Sequence, residues 1–212
     1  MGWRTAWSMQ ALMNRDSKLT HVLHGFAIGR FGIHWAEEAM KVYLSPLEAG
    51  TEHLALFLAW ALHHWRTEEG ITVNEAYLAQ RGASLSAADR AWLRSQAAAR
   101  FSFWEVRELV PGVGLRVRDL LGDETRFIHD EGGSFWFPLH TTWLTRVVEH
   151  EGVSLFSGLH AGYLSQPTVD VMVRTTREAL QDTPGRDEQV LRVIQTWTGY
   201  FTAAGMSHLQ PC

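Results

Sequence analysis

Hydrophobic spacing changes twice along this chain, and those two changes limit its architecture more than any other feature. Up to about Arg100 the apolar residues recur every three or four positions. In KLTHVLHGFAIGR, for example, Leu19, Val22, Leu23 and Phe26 share one helical face. From Phe101 the pattern alternates instead. FSFWEVRELV, GLRVRDLL, TRFIHD, TWLTRVVEH and VSLFSG read as four or five short strands. They are punctuated by Pro111-Gly112-Val113-Gly114, Gly122-Asp123, Gly132-Gly133 and Glu151-Gly152. After Pro167 helical spacing returns in TVDVMVRTTREAL and DEQVLRVIQTWTGYF, joined at Thr183-Pro184-Gly185. The order helices, strands, helices predicts an α+β protein: a helical bundle with an inserted small antiparallel β-barrel or meander and two C-terminal helices. Boundaries fall at 1–100, 101–160 and 161–212, with the last part packing on the first as one compact unit.

Local signals refine the helical part. Asp16 or Ser17 is positioned to cap a helix, and the Phe31-Gly32 pair predicts a break. Ser45-Pro46-Leu47-Glu48 has the capping-box pattern with proline at the first helical position. The helix it opens contains LALFLAWAL, Leu54 to Leu62, apolar on nearly every side and therefore expected in the centre of the core. Thr72-Val73-Asn74-Glu75 opens a helix closed by Gly82, and Ser86 opens another through Arg100. Ser157-Gly158 is expected to end the last strand.

Composition narrows the function. Hydrophobic residues at 46% and charged residues at 20% describe an ordinary globular chain. A net charge of −4 provides no bulk attraction to nucleic acid. The one cysteine, Cys212, excludes an intrachain disulfide and a cysteine-built zinc site. The longest apolar run is nine residues, against roughly 20 for a bilayer span. The first residues are interrupted by Arg4, Thr5, Ser8 and Gln10, unlike a secretory signal. A cytoplasmic protein away from membranes is the expectation. Ten tryptophans suit a large core.

The motifs for chemistry are weak. Gly112-Val113-Gly114 precedes LRVRDL, which alternates like a strand, so the glycines join strands rather than cradle phosphate at a helix start. His21 and His24 share a helix face, and His34 stands with Glu37 and Glu38. No HExxH accompanies them, so a metal-dependent hydrolase with histidine ligands between helices is the alternative rather than the leading reading. No G-x-S-x-G is present. No catalytic residue, metal ligand or cofactor is assigned.

Binding is better supported. With Leu115 and Val117 facing inward, Arg116 and Arg118 face out, and Arg107 and Arg126 add to that face. Residues 81–126 hold eight arginines and six acids. Phe135 and Trp136, with Phe137, form an aromatic loop beside Gly132-Gly133. A small barrel with basic and aromatic surfaces suits a non-catalytic binding or adaptor module for a protein or nucleic-acid partner. In the plainer alternative, Arg116 and Arg118 pair with Asp119, Asp123 and Glu124 and the surface is neutral.

Three stretches also resemble a known group. FAIGRFGIHWAEEAMKVYL, then TVNEAYLAQRGASLSAADRAWLRSQAAARFSFWEVRELVPGVGLRVRDLLGDETRFIHDEGGS, then RVVEHEGVSLFSG are similar to the body of uncharacterised bacterial proteins that often carry a SEC-C motif. The likeness spans roughly Phe26 to Gly158. It implies a helical region leading into a short β region, with no catalytic residues to carry over. SEC-C itself is a cysteine-rich zinc element. This chain lacks that cluster, so zinc-dependent partner binding does not transfer.

Overall fold

The structure is a computed structural model and describes residues 2–45, 51–164 and 166–203. The capping pattern at Pro46 and the cysteine at position 212 lie outside those residues. Five helices come first: α1 (Gly2–Phe31), α2 (Trp35–Leu44), α3 (Phe57–His63), α4 (Val73–Arg81) and α5 (Ala87–Ala98). Five strands follow: β1 (Arg100–Val110), β2 (Gly114–Asp119), β3 (Thr125–Ile128), β4 (Thr142–His150) and β5 (Val153–Leu164). A single-turn helix, α6 (Gly133–Trp136), separates β3 from β4, and α7 (Thr168–Gln181) and α8 (Arg186–Ala203) close the chain. The α+β reading and its element order hold.

The strands form a closed barrel in the order β1-β2-β3-β5-β4. Four of its seams are antiparallel, as expected. The fifth, β3 with β5, is parallel and rests on Ile128 opposite Ser154. Alternation gives each strand two jobs. Trp104, Val106, Leu115, Val117, Ile128, Trp143 and Val147 fill the barrel, plugged by Phe137 from the end of α6. Phe101, Phe103, Leu144, Val148 and Leu155 point the other way and join the main core with Leu23, Trp60, Trp92 and Trp197 from the helices. The 3-10 turn Thr51–Leu56 and α8 reach into this seam, where Phe103 meets Trp197 at 5.7 Å between ring centres.

Helix boundaries show where local signals suffice. Thr72 accepts from the Glu75 amide while Glu75 accepts from the Thr72 amide, a complete capping box. Ser86 caps α5 through the Asp89 amide, and α1 breaks at Gly32, whose φ of +90° suits glycine. Four expectations need correction. Asp16 caps nothing: α1 runs through it, and its Oδ1 accepts from Trp92 Nε1 (3.2 Å) and Gln96 Nε2 (2.7 Å) of α5. Helix α5 stops at Ala98, because Arg100 already pairs with Val147 across the barrel. Ser157-Gly158 does not end β5. Gly158, at φ +102°, sits beside irregular pairing with β4, and its carbonyl accepts from Thr145 Oγ1 at 2.7 Å, so the strand bends and continues to Leu164. The apolar run through Leu62 is central, yet Leu54 and Leu58 on its outer side are exposed.

Candidate docking surface on the barrel

Helix α8 packs on β1, α5 on β4 and the 3-10 turn on β5, which leaves the outer face of β2 and β3 the more open side, flanked by α7 where Arg107 and Arg118 line a hollow with it. The expected arginines do not all share it. Arg116 and Arg118 point outward from β2, since Leu115 and Val117 between them are fully buried. Arg116 opposes Phe127, with its guanidinium 6.0 Å from that ring, and Phe127 meets His129 edge-on at 5.1 Å. Arg126, however, lies directly across from inward-facing Val117. Cross-strand partners share a face, so Arg126 belongs to the other side, lining a hollow with Trp104 and Val147. Arg107 occupies the irregular step between Val106 and Glu108.

Every one of these arginines has an acidic partner. Arg107 binds Glu105 at 3.0 Å, Arg116 binds Glu108 at 3.0 Å and Arg118 binds Asp123 at 2.8 Å. Arg126 is held by Glu124 at 2.7 Å and Glu149 at 2.6 Å. Arg177 of α7 also reaches Asp123 at 3.1 Å. The hydrogen bond from Arg118, reinforced by the charge of Arg177, holds the Asp123 carboxyl below its ordinary range. Asp119, a sequence-expected partner, instead turns inward to accept from Ser102 and the Leu121 amide. The free face is thus electrically balanced.

The aromatic segment is not a loop. Asp130 Oδ1 accepts from the Gly133 amide at 2.8 Å and starts α6. Phe137, expected among the surface aromatics, is buried in the barrel and stacks under Trp136 at 4.0 Å. Trp136 also meets Trp143 edge-on at 5.8 Å. The Gly112 amide donates to Ser134 Oγ at 2.9 Å, fastening the β1–β2 turn to α6. This scaffold leaves Phe135 69% exposed, Trp136 49%, and Val113 of the turn 49%. Leu139, on the way out of α6, is 49% exposed as well. Large apolar groups held outward by fixed contacts are the barrel's most conspicuous surface feature.

The histidines go separate ways. His34 contacts Glu37 at the surface, at 3.1 Å, and His24 packs edge-on against Trp35 at 5.7 Å. Among the described residues no group of three or more His, Cys, Asp or Glu is placed to hold an ion. Residue spacing does not reveal the buried pair His63 and His64 at the end of α3. His63 Nδ1 lies 3.0 Å from the Asn74 amide nitrogen, and His64 Nδ1 lies 3.4 Å from Asp187 at the start of α8. Burial pushes His64 down to about 4 against the support of Asp187, and burial likewise lowers His63, helped by the charge of Arg146. A histidine kept neutral in the fold but titrating near 6.5 when unfolded stabilises fully above pH 6.5. That contribution fades as pH falls to about 4. For His64 the loss amounts to roughly 3 kcal/mol. Asp16, whose carboxyl burial raises, works in the opposite sense in acid. Urea midpoints measured from pH 7.5 downward therefore fall more steeply for the native chain than for His64→Gln. Parallel curves would contradict this.

Among the described residues no helix is long and apolar enough to cross a membrane. Comparison of the chain with protein-family models, with curated proteins and with solved structures produced no match.

Proposed function

We propose that this chain is a non-catalytic binding module that docks a protein partner through the end of its barrel, with the cytoplasm as the setting. The observation that carries this reading is the apolar platform of Phe135, Trp136 and Val113, held outward by buried Phe137 and the Gly112–Ser134 hydrogen bond. Aromatic side chains that are rigid before binding lose little entropy on docking and serve as anchors. The partner that fits is a surface with an apolar recess and little net charge, because the neighbouring arginines are already matched.

The test is site-specific photocrosslinking in cells, with benzoylphenylalanine at position 135 and, as control, at exposed Val171 of α7. A discrete adduct of one protein, identified by mass spectrometry, is expected from position 135 and not from 171, and Trp136→Glu abolishes it. The same adducts from both positions would overturn the reading.

One observation favours a second reading. A five-stranded barrel with a free β2–β3 face resembles the OB architecture, which holds oligonucleotides on that face. Here Phe127, His129 and Arg116 adjoin on it. The carboxylates beside the arginines oppose a phosphate backbone. Fluorescence anisotropy of a labelled oligothymidine at low salt decides: salt-sensitive binding lost in Phe127→Ala favours the strand-binding reading, and no binding leaves the protein partner.

A further inference from the structure

A groove of about 390 Å³ runs between α1 and the barrel, apart from the docking platform. Its walls are apolar and adaptable: Met9 and Met13 from α1, Trp92 from α5, and Leu155 and Phe156 from β5. Its polar lining is lopsided. Asp16, Asp130 and Glu131 contribute carboxylates against one histidine, His129, and no lysine or arginine among the described residues lines it. Neither Asp130 nor Glu131 forms an ion pair among the described residues. Asp130 spends one oxygen on the Gly133 amide. Asp16 offers Oδ1 to Trp92 and Gln96, and its other oxygen makes no hydrogen bond within the described residues. Arg146, whose charge favours the Asp16 carboxylate, donates to Gln96 and is not among the residues lining the groove. The volume falls within the range of small-molecule sites, which combine apolar walls with a few polar groups.

We propose that this groove binds a small organic cation: an ammonium or guanidinium group on a short apolar body. The apolar body lies against Trp92, Met13 and Phe156. The cationic head meets Asp16 at the inner side and Glu131 at the rim. An anion faces three like charges, and a neutral analogue forfeits the charge-assisted hydrogen bonds. The inference stands independently of the barrel-end platform, since the two surfaces share no side chain.

Nuclear magnetic resonance titration of the full chain tests it with three probes of one shape: phenethylamine, phenethyl alcohol and hydrocinnamate. The amine is expected to shift the backbone amides of Asp130, Glu131, Gly132 and Ser157. The alcohol binds about tenfold more weakly and the carboxylate not at all. Glu131→Gln, an exposed change, weakens the amine severalfold without altering the spectrum elsewhere. Asp16→Asn weakens it further, its fold being checked by the dispersion of the same spectrum. Equal binding of amine and alcohol, shifts centred on Phe135 and Trp136, or no shifts at millimolar amine would each overturn the proposal.

Discussion

Gly114→Ala is expected to destabilise the protein by about 3 kcal/mol, enough to threaten the barrel. Gly114 opens β2, paired with Val110 of β1, and the next residue, Leu115, pairs with Ile128 of β3. A methyl at position 114 would meet the Ile128 carbonyl oxygen at 2.1 Å and the Asp130 amide nitrogen at 3.2 Å. These are backbone atoms of the neighbouring strand and its exit, and no side chain can swing aside. The substitution has to push β2 and β3 apart where Leu115, Val117 and Ile128 fill the barrel. Gly112, two residues earlier, has a different need. Its φ is +74°, and an added methyl there finds only Phe135 at 3.9 Å. Gly112→Ala should therefore cost about 1–2 kcal/mol of backbone strain alone. Chemical denaturation of the two variants checks the ranking, and equal losses would contradict it.

Arg146 is the second large effect. It is fully buried on β4, on the face turned to the helices. Its guanidinium donates to both the side chain and the backbone carbonyl of Gln96 and to Ser157 Oγ, and it lies 5.8 Å from the Phe101 ring. Gln96 in turn donates to Asp16, so α1, α5, β4 and β5 meet in one polar chain inside an apolar core. Burial works against the arginine's charge, and Asp16 works for it. Arg146→Met removes the donors and leaves the Gln96 carbonyls and the Asp16 charge without compensation. A loss of about 3–5 kcal/mol is expected. Adding Asp16→Asn to Arg146→Met removes the stranded charge. The double variant should recover about 1 kcal/mol relative to simple addition of the two losses. Strict additivity would show that Asp16 and Arg146 act separately.

Much of the fold was legible because its signals are local. Alternation announced the strands, and a cap at Thr72 or Ser86 involves partners only three residues away. Glycine at 32 ended α1 by its own geometry. The outward direction of Arg116 and Arg118 followed from their buried neighbours. What the sequence hid depends on distance along the chain. Asp16 resembles a cap until α5 brings Trp92 and Gln96 to it. In TWLTRVVEH, Arg146 looks like a solvent-facing strand residue, and only the helices packed over β4 make it a core residue. The partner of Arg116 depends on the irregular step at Val106/Glu108, which sets the register of β1 against β2. The side taken by Arg126 is likewise a matter of register. The aromatic segment divided because one turn of helix sends Phe137 inward and leaves Phe135 and Trp136 out.

The surface that results has matched charges on its strands and unmatched rings at its end. Those rings are the surface proposed to dock a protein partner. Isothermal titration calorimetry of the purified crosslinked partner against two variants tests that docking. Trp136→Glu is expected to weaken binding about a hundredfold, in keeping with loss of a central aromatic anchor. Arg116→Glu with Arg118→Glu, at exposed pairs of small energetic value, should change it by about threefold or less. The reverse order, with the arginine variant crippled and the tryptophan variant intact, would place docking on the strands instead of the rings.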